Sequence, residues 1–261
     1  MNSSTQILVR PRTHRDARGF SLLELMLVIV VLLTVSGVIM RGIIEMQHRN
    51  TAETSKVDTV QQTRDFIDQM VRDVHQVGYP PGRVIAGNPS CVNNASVSCG
   101  VILFSPTQVI YEGDLEGTGN VYQIWMQLLP PASGRCPCTL QRGVILKAQA
   151  LAGNVPTYFT EVNGVLNSGN GAGGSNFPIS LPGPGTYTSY ANLDVFDAYF
   201  NDASLFVSPT GTYSCDEAAA PLSCSGIRSL QISVNVTSNF ADPKTNTYPV
   251  YSITSKARLN N

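Results

Sequence analysis

One carboxylate stands where carboxylates are rarely tolerated. Glu24 lies in the run FSLLELMLVIVVLLTVSGVIM (20–40), four positions after Phe20 and five after Gly19, and it is the only ionisable residue in that run. At the centre of a bilayer such a charge costs about 2.5 to 3.5 kcal/mol, so it calls for a partner or a role. Near the interface the cost falls, and a bland reading is a carboxylate that snorkels or favours the positive end of a helix. Thiol chemistry is the second possibility. Cys91 and Cys99 bracket the polar segment VNNASVS, and Cys215 and Cys224 bracket DEAAAPLS, so both pairs read as local loop staples. Rings of that size contribute roughly 2 to 3 kcal/mol each by the loop-entropy argument. Cys136-Pro137-Cys138 would form a tighter ring, and six cysteines permit 15 pairings. Zinc is a poor fit to the donor set. A closed site needs four ligands, and the three histidines, His14, His48 and His75, lie in the N-terminal basic stretch or on a long helical segment.

The remaining candidates for chemistry are weaker. Asp194 and Asp197, or Glu112 and Asp114, are close carboxylates, but each falls in a strand or turn pattern where solvated acids are ordinary. The segment 112–120 offers Asp114, Glu116 and Asn120 as alternating oxygen donors with a turn glycine, as a calcium loop does. Trp125 stands where the bidentate glutamate of that signature belongs, and a hairpin turn accounts for the same residues. A nucleophile elbow, a phosphate-binding glycine loop and a His-Glu-x-x-His pair are all missing from the sequence. No enzyme class and no cofactor is indicated.

The elements that must position Glu24 come next. Of seventeen basic and eighteen acidic residues, the first eighteen positions hold four arginines, Arg10, Arg12, Arg15 and Arg18, and one acid, Asp16. Positions 19–261 therefore carry a formal charge of −4, which speaks against nucleic-acid binding. Residues 20–40 are long enough for a helix to cross about 30 Å of hydrocarbon. The arginines before them and the sparse charge after them orient the leader inward, placing the bulk of the chain outside the cytoplasm, where cysteines can pair. An ordinary secretory signal would be cut after the apolar run, where Val35-Ser36-Gly37 is a weak match. The run is too long for that purpose, and Arg41 to Met46 continues the helical pattern.

From Arg41 to Gln76 there is no proline, and Val57, Val60, Ile67, Val71 and Val74 recur on one helical face, broadened by Phe66, Met70 and Val77. Asp58, Asp65, Asp68, Arg72 and Asp73 are assigned to the solvent side. Gly78-Tyr79-Pro80-Pro81-Gly82 ends the helix. A join at Gly37 and Gly42 between two separate helices is the alternative to one continuous helix. Beyond Gly82 the period changes to two. Strands are expected at Val101–Phe104, Gln108–Glu112, Val121–Leu128, Leu140–Lys147 and Arg228–Thr237, with the same alternation from Tyr251 to Leu259. Leu166 to Thr188 reads as a long mobile loop. The fold class is α+β, with a mainly antiparallel sheet laid on the helix. Four regions follow: a leader (1–19), a membrane span (20–40), an amphipathic continuation (41–77) and a β-rich head (78–261).

The residues Arg18-Gly19-Phe20-Ser21-Leu22-Leu23-Glu24-Leu25 resemble the class III signal of type IV pilins and pseudopilins. That resemblance implies cleavage after Gly19 by a prepilin peptidase, N-methylation of Phe20, and retention of the apolar segment as membrane anchor and later as filament core. It gives Glu24 a role: neutralising the Phe20 ammonium, either of a neighbouring subunit or within its own helix, where i and i+4 share a face. Such pairing would set register. A second resemblance is to PilW-type minor pilins, in RDVHQVGY (72–79), in IYEGDLEGTGNVYQIWMQL (110–128) and in GIRSLQISVNV through SKARLNN (226–261). It implies a subunit that primes pilus assembly with other minor pilins and the major pilin on the inner-membrane platform, near the filament tip. Cell adhesion and twitching motility would be its context. A J-type pseudopilin of type II secretion and an anchored adhesin are the alternatives. The CPC ring and the calcium-like loop have no counterpart carried by the resemblance.

Overall fold

The computed structural model describes residues 21–81, 90–168, 177–183, 187–207, 212–220 and 222–259. They divide into two compact units at Gln47/His48. One helix, α1 (Leu22–His75), runs through both. Gly37 and Gly42 lie inside it without breaking it, and a Cβ at either would meet nothing of this chain within 4 Å. Within the second unit α1 buries Thr63, Phe66, Ile67, Met70, Asp73 and Val74, spaced three and four apart as one face requires. The face is narrower than the sequence pattern: Val57 is 58% exposed, because the buried stripe begins only at Thr63.

The face rests on a curled antiparallel sheet. Its strands are β1 (Val101–Ser105), β2 (Gln108–Gly113), β3 (Tyr122–Leu129), β4 (Cys138–Leu146), β5 (Tyr158–Val165), β6 (Phe196–Tyr199), β7 (Cys215–Asp216), β8 (Ser229–Thr237) and β9 (Val250–Arg258). Their order is β6-β8-β5-β4-β3-β2-β1-β7, with β9 along the other side of β8. A short helix, α2 (Lys147–Leu151), follows β4 directly, so Lys147 starts a helix rather than ending a strand. Alternation decides what each strand shows to α1. Val109, Met126 and Arg142 share one rung, Tyr111, Ile124 and Val144 the next, and all but the partly exposed Arg142 and Val144 are fully buried.

Asp73 is the exception to the solvent side proposed for the helix's charges. It is 8% exposed, and Arg142 donates to its Oδ2 from Nε at 3.0 Å and Nη2 at 2.7 Å. Arg142 sits 69 residues away, so nothing local signals the pair. Burial pushes the Asp73 carboxyl above its ordinary 3.8, against the pull of Arg142 and the Tyr111 hydroxyl. A raised folded value means the folded state holds the proton more tightly. Its stabilising effect is complete below the ordinary value and is lost as pH rises through the folded one. Urea unfolding of wild type and Asp73→Asn should therefore show the wild type more favoured relative to the variant at about pH 4 than at about pH 7. A difference that grows with pH would refute this account.

The C-terminal end of α1 is fixed by backbone contacts. Gly78 N–H donates to Glu112 O, Asp114 N–H donates to Tyr79 O, and Val77 bridges to Gly113. A Cβ on Gly113 would lie 2.5 Å from Gln76 O, so this close approach of helix and strand requires glycine. The segment expected as a mobile loop from Leu166 begins instead as a buried plug. Asn167 is fully buried; its Nδ2 donates to Asp194 O and Ser233 O at 3.0 Å, and its Oδ1 accepts from Asn235 N–H at 2.7 Å. The Ser168 hydroxyl donates to Ala191 O. Residues 169–176 and 184–186 of that segment lie outside the described residues.

Candidate functional site

Glu24 lies in the first turn of α1, where the helix dipole favours a carboxylate. Around it the helix is apolar on every side as far as Met40, and each residue from Leu22 to Met40 is exposed, with Leu22 at 76% and Leu33 at 63%. A helix apolar all round is covered by lipid or by other helices, since water would meet a continuous hydrophobic surface. By length and composition it can cross a membrane, with a mean hydropathy of 2.7 in its most apolar window. One polar side chain within it is satisfied by the helix itself, as a membrane span requires: Thr34 donates its hydroxyl to Val31 O at 2.8 Å. Gly19 and Phe20, the expected cleavage junction and methylation site, lie outside the described residues.

Residues 14–40 match the family model of the prokaryotic N-terminal methylation motif. The match supports a type IV pilin-like protein and points to a structural subunit. It spans Gly19, Phe20 and Glu24 and ends where the apolar run ends. The long helix on a curled antiparallel sheet is consistent with the α+β pilin-like fold. With the apolar helix, the class III signal suggests membrane anchoring and assembly with pilus components. No curated protein and no solved structure matches the chain.

The other residues singled out for chemistry serve the head's architecture. Cys91 is bonded to Cys99, Cys136 to Cys138 and Cys215 to Cys224, with Cα separations of 5.1, 4.3 and 5.4 Å. Glu112 and Asp114, taken from sequence as solvated acids, are 1% and 4% exposed. Asp114 organises its own turn: Oδ1 accepts the N–H of Glu116 and Thr118 at 3.2 Å each, and Oδ2 that of Gly119 at 2.6 Å. Both carboxylate oxygens of Asp114 thus serve the turn by accepting backbone amides. Glu116 accepts from the Tyr122 hydroxyl at 3.1 Å, and the Asn120 amide donates to Thr118 Oγ1 at 3.1 Å. Among the described residues no group of three His, Cys, Asp or Glu is placed to hold a metal ion. Burial raises the Asp197 carboxyl, with a smaller push from Asp194, while the Gln231 amide donates to its Oδ2 at 3.4 Å.

Glu112 belongs to a network that sequence reading missed. Alternation points its side chain to the face away from Tyr111, where Gln123 on the same rung donates to Oε1 at 3.0 Å. Lys147 Nζ donates to Glu112 Oε2 at 2.6 Å, and to Cys91 O and Val97 O at 2.7 Å each. All three ammonium protons are matched. Cys99 N–H also donates to Oε2, at 2.8 Å. The Cys91–Cys99 loop is therefore folded around a lysine ammonium that is itself only 1% exposed. An acidic residue at the end of one strand and a lysine at the end of another were the only signals for it.

Proposed function

We propose that this chain is a minor pilin that helps to initiate type IV pilus assembly and sits at or near the filament tip. In this reading a prepilin peptidase cuts after Gly19 on the cytoplasmic side of the inner membrane, Phe20 becomes the methylated N-terminus, and residues 20–40 remain as a single span with the head in the periplasm. Assembly then moves the helix from lipid into a bundle with the major pilin and other minor pilins. Glu24 meets the Phe20 ammonium there, because two unpaired charges in an apolar bundle cost far more than a pair.

The observation that carries the reading is the conjunction of the methylation motif over 14–40 with a helix whose apolar residues are exposed from Leu22 to Met40. A cut before the apolar run keeps that surface, and the surface needs a covering other than this chain. The large head with its three disulfide rings supports a tip place over a densely repeated shaft place. The test is the mass of the N-terminal peptide recovered from sheared filaments. A methylated peptide beginning at Phe20 is expected. Its absence from filaments that carry their other subunits would reject the proposal.

A further inference from the structure

Where β6, β8 and β9 lie side by side, the sheet turns a polar face outward. Tyr199, Ser229 and Arg258 share one rung across these strands, and Asp197, Gln231 and Lys256 share another that points the same way. Ala198, Leu230 and Ala257, on the rung between, are buried in the core. Two cations reach from β9 over β8 towards β6: Lys256 Nζ lies 3.5 Å from the centre of the Tyr199 ring, and Arg258 Nη2 donates to Asn201 Oδ1 at 3.3 Å. Arg228, just before β8, joins them, its Nη1 donating to Ser225 O at 2.7 Å and Ile227 O at 3.0 Å.

The three cations line one hollow of about 280 Å³ with Phe200, Asn201 and Ser229, and among the described residues no acid lines it. Asp197 and Asp202 are bonded elsewhere: Gln231 Nε2 donates to Asp197 Oδ2 at 3.4 Å, and Ser204 N–H donates to Asp202 Oδ1 at 3.0 Å. Among the described residues no ion pair ties any of the three to a carboxylate, and most of the five N–H donors on each guanidinium have no acceptor. The walls are held in place. The Phe200 ring lies 5.3 Å from that of Phe206, and a Cβ at Gly226 would stand 2.6 Å from Phe200 Cε1. Arg228 N–H donates to Tyr199 O, and Leu259 N–H to Arg228 O, at 2.9 Å each. Three like charges are thus gathered on a fixed frame, with donors to spare and no counter-charge.

We propose that this hollow binds a phosphate monoester group, with Arg228 and Arg258 donating to its oxygens and Lys256 adding a third positive charge. Guanidinium forks match the oxygens of phosphate. A monoester carries between one and a half and two negative charges at neutral pH, roughly, and so answers three cations better than a single carboxylate or a phosphodiester does. The cations converge on one small hollow rather than forming a stripe along the surface, which suits a single terminal group and not the backbone of a polymer. The inference stands apart from the helix-based assembly reading, since it involves neither Phe20 nor Glu24.

The test is equilibrium dialysis of labelled glycerol 3-phosphate against the full chain in uncharged detergent micelles, with competition by other anions. Saturable binding at one site is expected. Dimethyl phosphate, a singly charged diester, should compete about fivefold more weakly or worse. Lys256→Gln/Arg258→Gln should weaken the monoester about tenfold or more. Its unfolding midpoint, unchanged for exposed positions, verifies that the head is intact. Arg135→Gln/Lys244→Gln removes the same charge from exposed positions outside the hollow and should keep affinity within about twofold. Inorganic phosphate competing as well as glycerol 3-phosphate would support the site and assign it to the free ion; stronger competition by glycerol 3-phosphate, or by short-chain phosphatidic acid, would support it and assign it to a phosphate on an organic stem. The proposal is overturned if binding does not saturate, if the two double variants weaken it alike, or if a short oligonucleotide lacking terminal phosphates competes better than the monoester at equal phosphate concentration.

Discussion

Replacing Lys147 by alanine is expected to cost the head about 3 to 5 kcal/mol, the range for breaking a buried ion pair from one side. The loss is large because of what remains. Glu112 loses its cation at 1% exposure, and the carbonyls of Cys91 and Val97 lose their donor together. A domain of ordinary stability holds about 5 to 15 kcal/mol, so the variant would give up about a fifth of it or more. Lys147→Met combined with Glu112→Leu should recover part of the loss, because no bare charge is then buried. It should not recover all, since Cys99 N–H and the Gln123 amide still lose the carboxylate that accepts from them. Urea unfolding of the three proteins measures this. A single substitution costing less than about 1 kcal/mol would mean that water reaches the site and the network is incidental.

The second large effect concerns assembly, on the proposed reading. Glu24→Ala should be cut and methylated normally, since the Gly19-Phe20 junction is intact, yet be scarce in filaments. Leaving the Phe20 ammonium unpaired in an apolar bundle costs about 3 to 5 kcal/mol. At 1.4 kcal/mol per factor of ten, that corresponds to about a hundredfold or more in incorporation. Gly19→Ala should give the reverse pattern, an uncut precursor that stays in the membrane. Immunoblots of sheared filaments and of membranes, run side by side, separate the two. Wild-type amounts of both variants in filaments would remove the assembly role.

Local pattern made much of this molecule readable. Leu230, Ile232, Val234 and Val236 alternate with polar residues because β8 has one face in the core, and Tyr251 to Leu259 repeats the pattern for the same reason. β5 broke the rule. Its buried residues Val162 and Val165 are three apart, the register against β4 shifts twice, and Gly164 at φ +75° presses its backbone to within 2.5 Å (for an added Cβ) of Thr237 O. A period-two search cannot find such a strand. Charged residues were harder still. Asp73 looks like any other acid on the polar side of a helix, and only Arg142, brought across by the sheet, shows why it is buried. Glu112, near the end of β2, and Lys147, at the start of α2, are 35 residues apart, and neither position reveals that the Cys91–Cys99 loop will close over them. The N-terminal motif, by contrast, was legible in full, because its information lies in the spacing of consecutive residues rather than in contacts.

That closed loop also bears on timing. Before Cys91 and Cys99 are oxidised, the eight-residue separation between them must be ordered around Lys147 without the covalent tie, at a cost of roughly 2 to 3 kcal/mol in chain entropy. The Cys215–Cys224 ring carries a comparable cost, and the much shorter Cys136–Cys138 ring a smaller one. A chain held under reducing conditions is thus a softer object than its oxidised counterpart, easier to unravel and slower to commit. The redox state of its surroundings acts as a clock: the head hardens only after its thiols have met an oxidant.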